Sequence, residues 1–178
     1  MPGMNRETST LLLIDFQVKL MRAIDGAADA ILNAGRLLGA AQMLDVPILF
    51  TEQNVDGLGA TVPELASRAN GPVVHKMTFD ACQAPGFADM LSARRDVIVT
   101  GCEAHVCVLQ TVLSLIDAGR RIYVVRDAIG SRRAESKDAA IGRMERHGAD
   151  IVTTEMVVFE WLGTADHPRF REAAALIK

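Results

Sequence analysis

The sequence predicts an α/β fold with three layers, α/β/α, around a six-stranded, mainly parallel sheet. Three observations predict it. Six short aliphatic runs recur along the 178 residues. Segments with helical spacing lie between several of them. The composition is 49% hydrophobic but only 4% aromatic, which suits Val, Ile and Leu strands buried on both faces.

The runs fall in order. Residues 11–14 lead into Asp15, and 46–50 into Thr51-Glu52. Residues 72–74 lead into His75-Lys76, and 97–99 into Thr100-Gly101. Residues 122–125 end at Arg126-Asp127, and 151–152 at Thr153-Thr154. None alternates with polar residues, so each reads as a strand covered on both sides. A helix is predicted over about 26–44, where Ile31, Ala34, Leu38 and Ala41 share one face. A second is predicted over about 134–147, with Ala140, Ile141 and Met144 inward and Gly148 as its stop. Residues 105–118 are apolar almost all round, so that helix should be deeply buried, with Gly119 ending it. The stretch 53–70, with Gly57 and Gly59, is the longest piece without an assignment. No linker, repeat or low-complexity tract interrupts the chain, which reads as one domain over 1–178.

Composition removes several function classes. Three cysteines are too few, and odd in number, for a disulfide-built scaffold. Nineteen Lys and Arg against 22 acids, without a basic stripe, argue against nucleic-acid binding. No run reaches the roughly 18 apolar residues of a membrane helix. The opening MPGMNRETST lacks a signal-peptide pattern, so a cytoplasmic protein is expected. There is no dinucleotide fingerprint, phosphate loop or Gly-x-Ser-x-Gly.

In open α/β sheets, ligands sit beyond the carboxyl ends of the strands. That directs attention to Asp15, Gln17, Glu52, Gln53, Lys76 and residues 101–107. Cys107 falls where a strand turns into a helix. There the helix dipole favours thiolate, and free N–H groups can hold an oxyanion. The plain alternative is a buried structural cysteine. Asp15, directly after four aliphatic residues, is a candidate base, or a carboxylate that anchors a loop. Lys76 is a candidate charge beside both, or a solvated loop lysine. Together they place an acid, an ammonium and a thiol at three strand ends, the set that thiol activation requires. Cys102, His105 and Cys107 make a string that suggests zinc, but no fourth ligand accompanies it. Arg132 and Arg133 read most simply as solvated charges, the alternative being an anion site or a subunit contact.

At these residues the chain resembles the isochorismatase-like cysteine hydrolase superfamily, from about Thr10 to Ile177. The resemblance rests on an ordered set: Asp15-Phe16-Gln17 after the first strand, then Lys76-Met77-Thr78-Phe79-Asp80. Thr100-Gly101 through Cys107-Val108 follows, and then Asp127-Ala128-Ile129-Gly130-Ser131-Arg132. Thr51-Glu52-Gln53, Gly57-Leu58-Gly59, Arg143-Met144 and His167-Pro168-x-Phe170 look closest to the subgroup called isochorismatase domain-containing proteins.

The resemblance implies a Rossmann-like hydrolase fold and a triad of Cys107 as nucleophile, Asp15 as general base and Lys76 as stabilising charge. It implies a cis peptide at Cys102–Glu103 and an oxyanion hole from the amides of Glu103 and Cys107. Phe16, Gln17, Gln53 and Phe79 are the expected substrate contacts. The implied reaction is hydrolysis of a small amide-type substrate through a thioester, without a cofactor. Nicotinamidases of the superfamily hold a metal through Asp-x-His where this chain has Gln53-Asn54-Val55, so no metal site is expected. Isochorismatases proper typically lack the cysteine present here. A catalytically weak binding or assembly domain is the alternative, and nuclease activity suits the charge balance poorly. A homo-oligomer is expected, because the all-apolar helix and the tail 173–177 exceed what one small domain need cover.

Overall fold

The computed structural model describes residues 3–91 and 96–178. Its elements follow in chain order. Strand β1 (Ser9–Ile14) is followed by the short α1 (Val18–Met21) and the long α2 (Ala27–Met43). Strand β2 (Ile48–Gln53) leads to two short helices, α3 (Val55–Leu58) and α4 (Pro63–Ala66). Strand β3 (Val73–Lys76), a 3-10 turn (Ala81–Gln83) and α5 (Phe87–Met90) complete the first half. Strand β4 (Asp96–Cys102) runs into a π-helical turn (Ala104–Val108), then α6 (Leu109–Asp117). Strand β5 (Arg121–Gly130), α7 (Ala134–Arg146), β6 (Asp150–Val152), α8 (Thr154–Leu162) and α9 (Phe170–Leu176) close the chain.

All six strands are parallel, in the order β3-β2-β1-β4-β5-β6. The period of two along each strand divides the core. Leu11 and Leu13 of β1 face the layer built by α2, α8 and α9, while Leu12 and Ile14 face the layer of α6 and α7. Ile98 and Val99 in β4, and Tyr123 and Val124 in β5, split the same way. Both layers cover apolar side chains, which is why the strands lack alternation in sequence. The fold class thus stands as expected, with a wholly parallel sheet.

The expected helices at 26–44 and 134–147 correspond to α2 and α7, and Gly119 and Gly148 follow α6 and α7 with φ of 77° and 104°. Residues 105–118 differ from expectation. They divide into the π-helical turn and α6, and the helix is not covered all round. Gln110 and Asp117 are exposed, while Val106, Leu113 and Ile116 are only partly buried. The tail 173–177 is also not surplus apolar surface: Ala173 is buried, and Leu176 and Ile177 pack onto the α2 layer. The stretch 53–70 is tied down by α3, α4 and a bridge between Gln17 and Thr61.

Candidate active site

The chain builds β1, β2 and β3 outward in one direction, then returns to lay β4 on the other side of β1. The carboxyl ends of β1 and β4 therefore flank the point where strand order reverses, the usual ligand crevice of open α/β sheets. Asp15 leaves β1 at that point with φ 53°, a left-handed conformation uncommon for a residue other than glycine. It is fully buried, and its carboxylate is held on both oxygens. Thr51 Oγ1 donates to Oδ1 at 2.6 Å and Lys76 Nζ to Oδ2 at 2.7 Å. Thr51 is there because β1 and β2 pair Ile14 with Thr51.

Lys76 ends β3, two strands from β1, or about 10 Å at the usual spacing. Only a long side chain spans that gap. Its ammonium has three donors. Beyond Asp15, it gives hydrogen bonds to the carbonyls of Thr78, at 3.2 Å, and Phe79, at 3.1 Å. The solvated-lysine alternative is therefore not what the fold adopts. Lys76 is a buried cation whose protons are all directed.

Cys107 lies in the π-helical turn that follows β4, where the amide of Val108 reaches back five residues to the Glu103 carbonyl at 3.2 Å. Such turns are rare and recur at functional sites. The Cys102–Glu103 peptide is cis. Gly101, at φ 138°, admits no side chain, because a Cβ would stand 2.2 Å from the Ile14 carbonyl oxygen. Glycine there lets β4 approach β1 closely at the crevice.

Cys107 is 6% exposed, and its thiol feels the charges of both Asp15 and Lys76. The helix-terminus argument anticipates a thiolate, but the environment does the reverse. Burial, then the Asp15 charge, push the thiol up to about 12, with Lys76 opposing. Cys107 therefore rests as a thiol beside the Asp15 charge. The zinc-like string is split by the sheet. Cys102 packs in the α2 layer and Cys107 in the other, while His105 Nδ1 meets Ser131 Oγ at 3.0 Å.

Two groupings escaped sequence reasoning. Thr51 completes the grip on Asp15. Arg132, expected as a solvated charge, is exposed but also pairs with the buried carboxylate of Glu103, with Nη2 2.6 Å from Oε1. That contact holds the Glu103 carboxyl below its ordinary range. The signal for Thr51 was its strand-end position, but the register that uses it is not local.

The four expected substrate contacts are placed differently from one another. Phe16 is packed in the α2 layer, on the opposite side of the sheet from Cys107, so it forms core rather than pocket wall. Gln17 is fully buried and clamps loops. Its Nε2 donates to the carbonyls of Gln53, at 2.9 Å, and Gly59, at 2.6 Å, and its Oε1 accepts from the Gln53 amide. Gln53 directs Nε2 to the Met77 carbonyl at 3.1 Å. Phe79 is 51% exposed beside Lys76, and of the four it alone offers an open apolar face. A cavity of about 430 Å³ opens at the β2 and β3 ends, lined by Asn54, Val55, Asp56, His75, Lys76 and Met77. Lys76 is the triad candidate in that lining.

A family model described as the isochorismatase domain matches residues 9–156. Isochorismatase domain-containing protein 2 of Macaca fascicularis is 38% identical over 174 residues, covering 96% of this chain and 83% of that protein. The solved structure of MAR1 ribonuclease from Caenorhabditis elegans superposes with a TM-score of 0.95 at 38% identity, over 99% of this chain and 92% of that one. YcaC from Pseudomonas aeruginosa, solved with hexane-2,5-diol and covalent acrylamide, gives 0.88 at 26% identity, over 98% and 95%.

Proposed function

The chain belongs to the isochorismatase family, and on that premise we propose that it is a metal-independent cysteine hydrolase of small amide-type substrates. One observation carries the reading: a buried Asp15–Lys76 ion pair whose charges act on the buried Cys107 thiol. In this reading Asp15 accepts the Cys107 proton as sulfur attacks the carbonyl carbon. The amides of Glu103 and Cys107 receive the oxyanion. Asp15 returns the proton to the leaving nitrogen, and ammonia or an amine departs. Water, deprotonated by Asp15, then attacks the thioester carbonyl; the C–S bond breaks, the acid leaves, and Asp15 passes the proton to the departing sulfur, restoring the thiol. Lys76 holds the Asp15 carboxylate in place and offsets charge on sulfur. Phe79 and Gln53 border the substrate, with Gln17 setting the loop they stand on. A second copy of the chain covers the exposed Met77 and Phe79, and the free thiols suit a reducing cytoplasm. Among the described residues no helix is long and apolar enough to cross a membrane.

The test is ammonia release from a panel of small amides, together with acrylamide labelling read by intact mass and peptide mapping. Acrylamide is chosen because the YcaC relative carries it covalently. Turnover lost in Cys107→Ser and an adduct at Cys107 support the reading. Full activity in Cys107→Ala overturns it. The closed surroundings of Cys107 favour one alternative, a pocket-bearing domain with negligible turnover. No turnover and no adduct at Cys107 would select it. RNA cleavage that survives stringent purification and disappears in Cys107→Ser would replace the amide reading with the activity named for the Caenorhabditis elegans neighbour.

A further inference from the structure

We infer that Arg132 is a positioning residue of the oxyanion hole, acting through the Glu103 carboxylate to fix the peptide whose N–H receives negative charge. This rests on the reading of Cys107 as nucleophile and Glu103 N–H as an oxyanion donor. The Glu103 side chain is 5% exposed, and its carboxylate is met by one guanidinium. Arg132 Nε lies 3.2 Å from Oε1 and 3.0 Å from Oε2, and Nη2 lies 2.6 Å from Oε1. The Arg132 backbone amide adds a fourth contact, 3.0 Å from Oε2. Planar, bidentate recognition of this kind is specific to arginine.

Strand register puts the clamp there. Strands β4 and β5 pair Cys102 with Gly130, so the residues just beyond each strand end meet. Ser131 grips the same turn a second time through His105, and its carbonyl accepts from the Asp25 amide at 3.0 Å. Glu103 is thus held at its carbonyl by the amides of Val106 and Val108, and at its carboxylate by Arg132. Both ends of Glu103 beyond its amide are restrained, and the restraint passes to the Cys102–Glu103 peptide that carries that amide. The Arg132 side chain is itself 61% exposed, so covering apolar surface does not explain its position.

The test compares two reagents at Cys107. With acrylamide, sulfur bonds to the β-carbon and the alkene electrons move onto the carbonyl oxygen. The thiol proton, held on Asp15, then goes to the α-carbon. With iodoacetamide, sulfur bonds to the methylene carbon, iodide leaves with the C–I electrons, the thiol proton passes by way of Asp15 to solvent, and no oxyanion develops. The ratio of the two rates therefore reads the oxyanion hole. Arg132→Ala is expected to lower that ratio about tenfold, less than the 10²–10³ seen when a donor is removed outright. Arg132→Lys should recover only part of it, and Glu103→Gln should match Arg132→Ala. The double variant should fall no further than either single one. Glu103→Gln carries the same test if Arg132→Ala does not fold, as judged by its thermal melt. An unchanged ratio in the single variants, or losses that multiply in the double, overturns the inference. Absence of any wild-type adduct at Cys107 fails the nucleophile reading instead, and is distinguished by that missing mass.

Discussion

Lys76 Nζ lies 2.7 Å from Asp15 Oδ2, with both side chains withdrawn from solvent and contributed by strands that are not neighbours. Such a pair is costly to break from one side, because the remaining charge is left buried without a partner. Lys76→Met should therefore destabilise the fold by about 3–5 kcal/mol. Combining it with Asp15→Asn should cost less than Lys76→Met alone. Urea unfolding of the three proteins checks this. A double variant weaker than Lys76→Met would show that the pair does not act as a unit.

Three free thiols shape the alkaline limb of stability. Burial pushes Cys82, Cys102 and Cys107 each up to about 12. Below about pH 9 both folded and unfolded chains keep these protons, and the thiols add no pH dependence. Between about 9 and 12 the unfolded chain loses protons that the folded chain retains, so stability falls as pH rises. Cys102, the most enclosed of the three, gives the cleanest test. Unfolding free energy measured from pH 8 to 10.5 should decline less steeply in Cys102→Ala than in wild type. Parallel slopes would assign the decline to other groups.

Gly101 is the tightest point of the crevice. Gly101→Ala adds a Cβ 2.2 Å from backbone in a region of φ that side chains rarely adopt. Backbone strain and overpacking together should cost upwards of about 3 kcal/mol. Soluble yield and the melting temperature report it. A variant that melts with wild type would mean that β1 and β4 can separate freely at their ends.

Val73, Met77 and Phe79 expose apolar surface on or just beyond β3, an edge strand. Unprotected edges of this kind are usually covered. Sedimentation should show the wild type as a homo-oligomer, and Met77→Ser with Phe79→Ser should shift it toward monomer. A monomeric wild type at micromolar concentration would remove the second copy from the proposed site.

Much of this molecule was legible along the chain. Leu11 to Ile14 carry their burial in an unbroken aliphatic run, and Ala34 with Leu38 and Ala41 in helical periodicity, so strands and long helices could be placed without knowing their neighbours. Asp15 and Lys76 were legible because polar groups at the ends of aliphatic runs are conspicuous, and Cys107 because it falls where a strand turns into a helix. Phe16 was misread because facing depends on which way the chain turns after β1, and the left-handed Asp15 sends that ring into the α2 layer.

The sequence by itself determined the α/β alternation and the residue types at each strand end, since both follow from spacing and side-chain chemistry. Only the tertiary structure decided which ends meet. Strand order brings Lys76 across β2 to Asp15, and register adds Thr51 beneath it and Arg132 against Glu103. It also decided the state of the thiol. Helix-end position alone suggested a thiolate, but burial and the facing carboxylate keep the proton on Cys107. These are electrostatic and packing relations between segments far apart in the chain, and no local pattern encodes them.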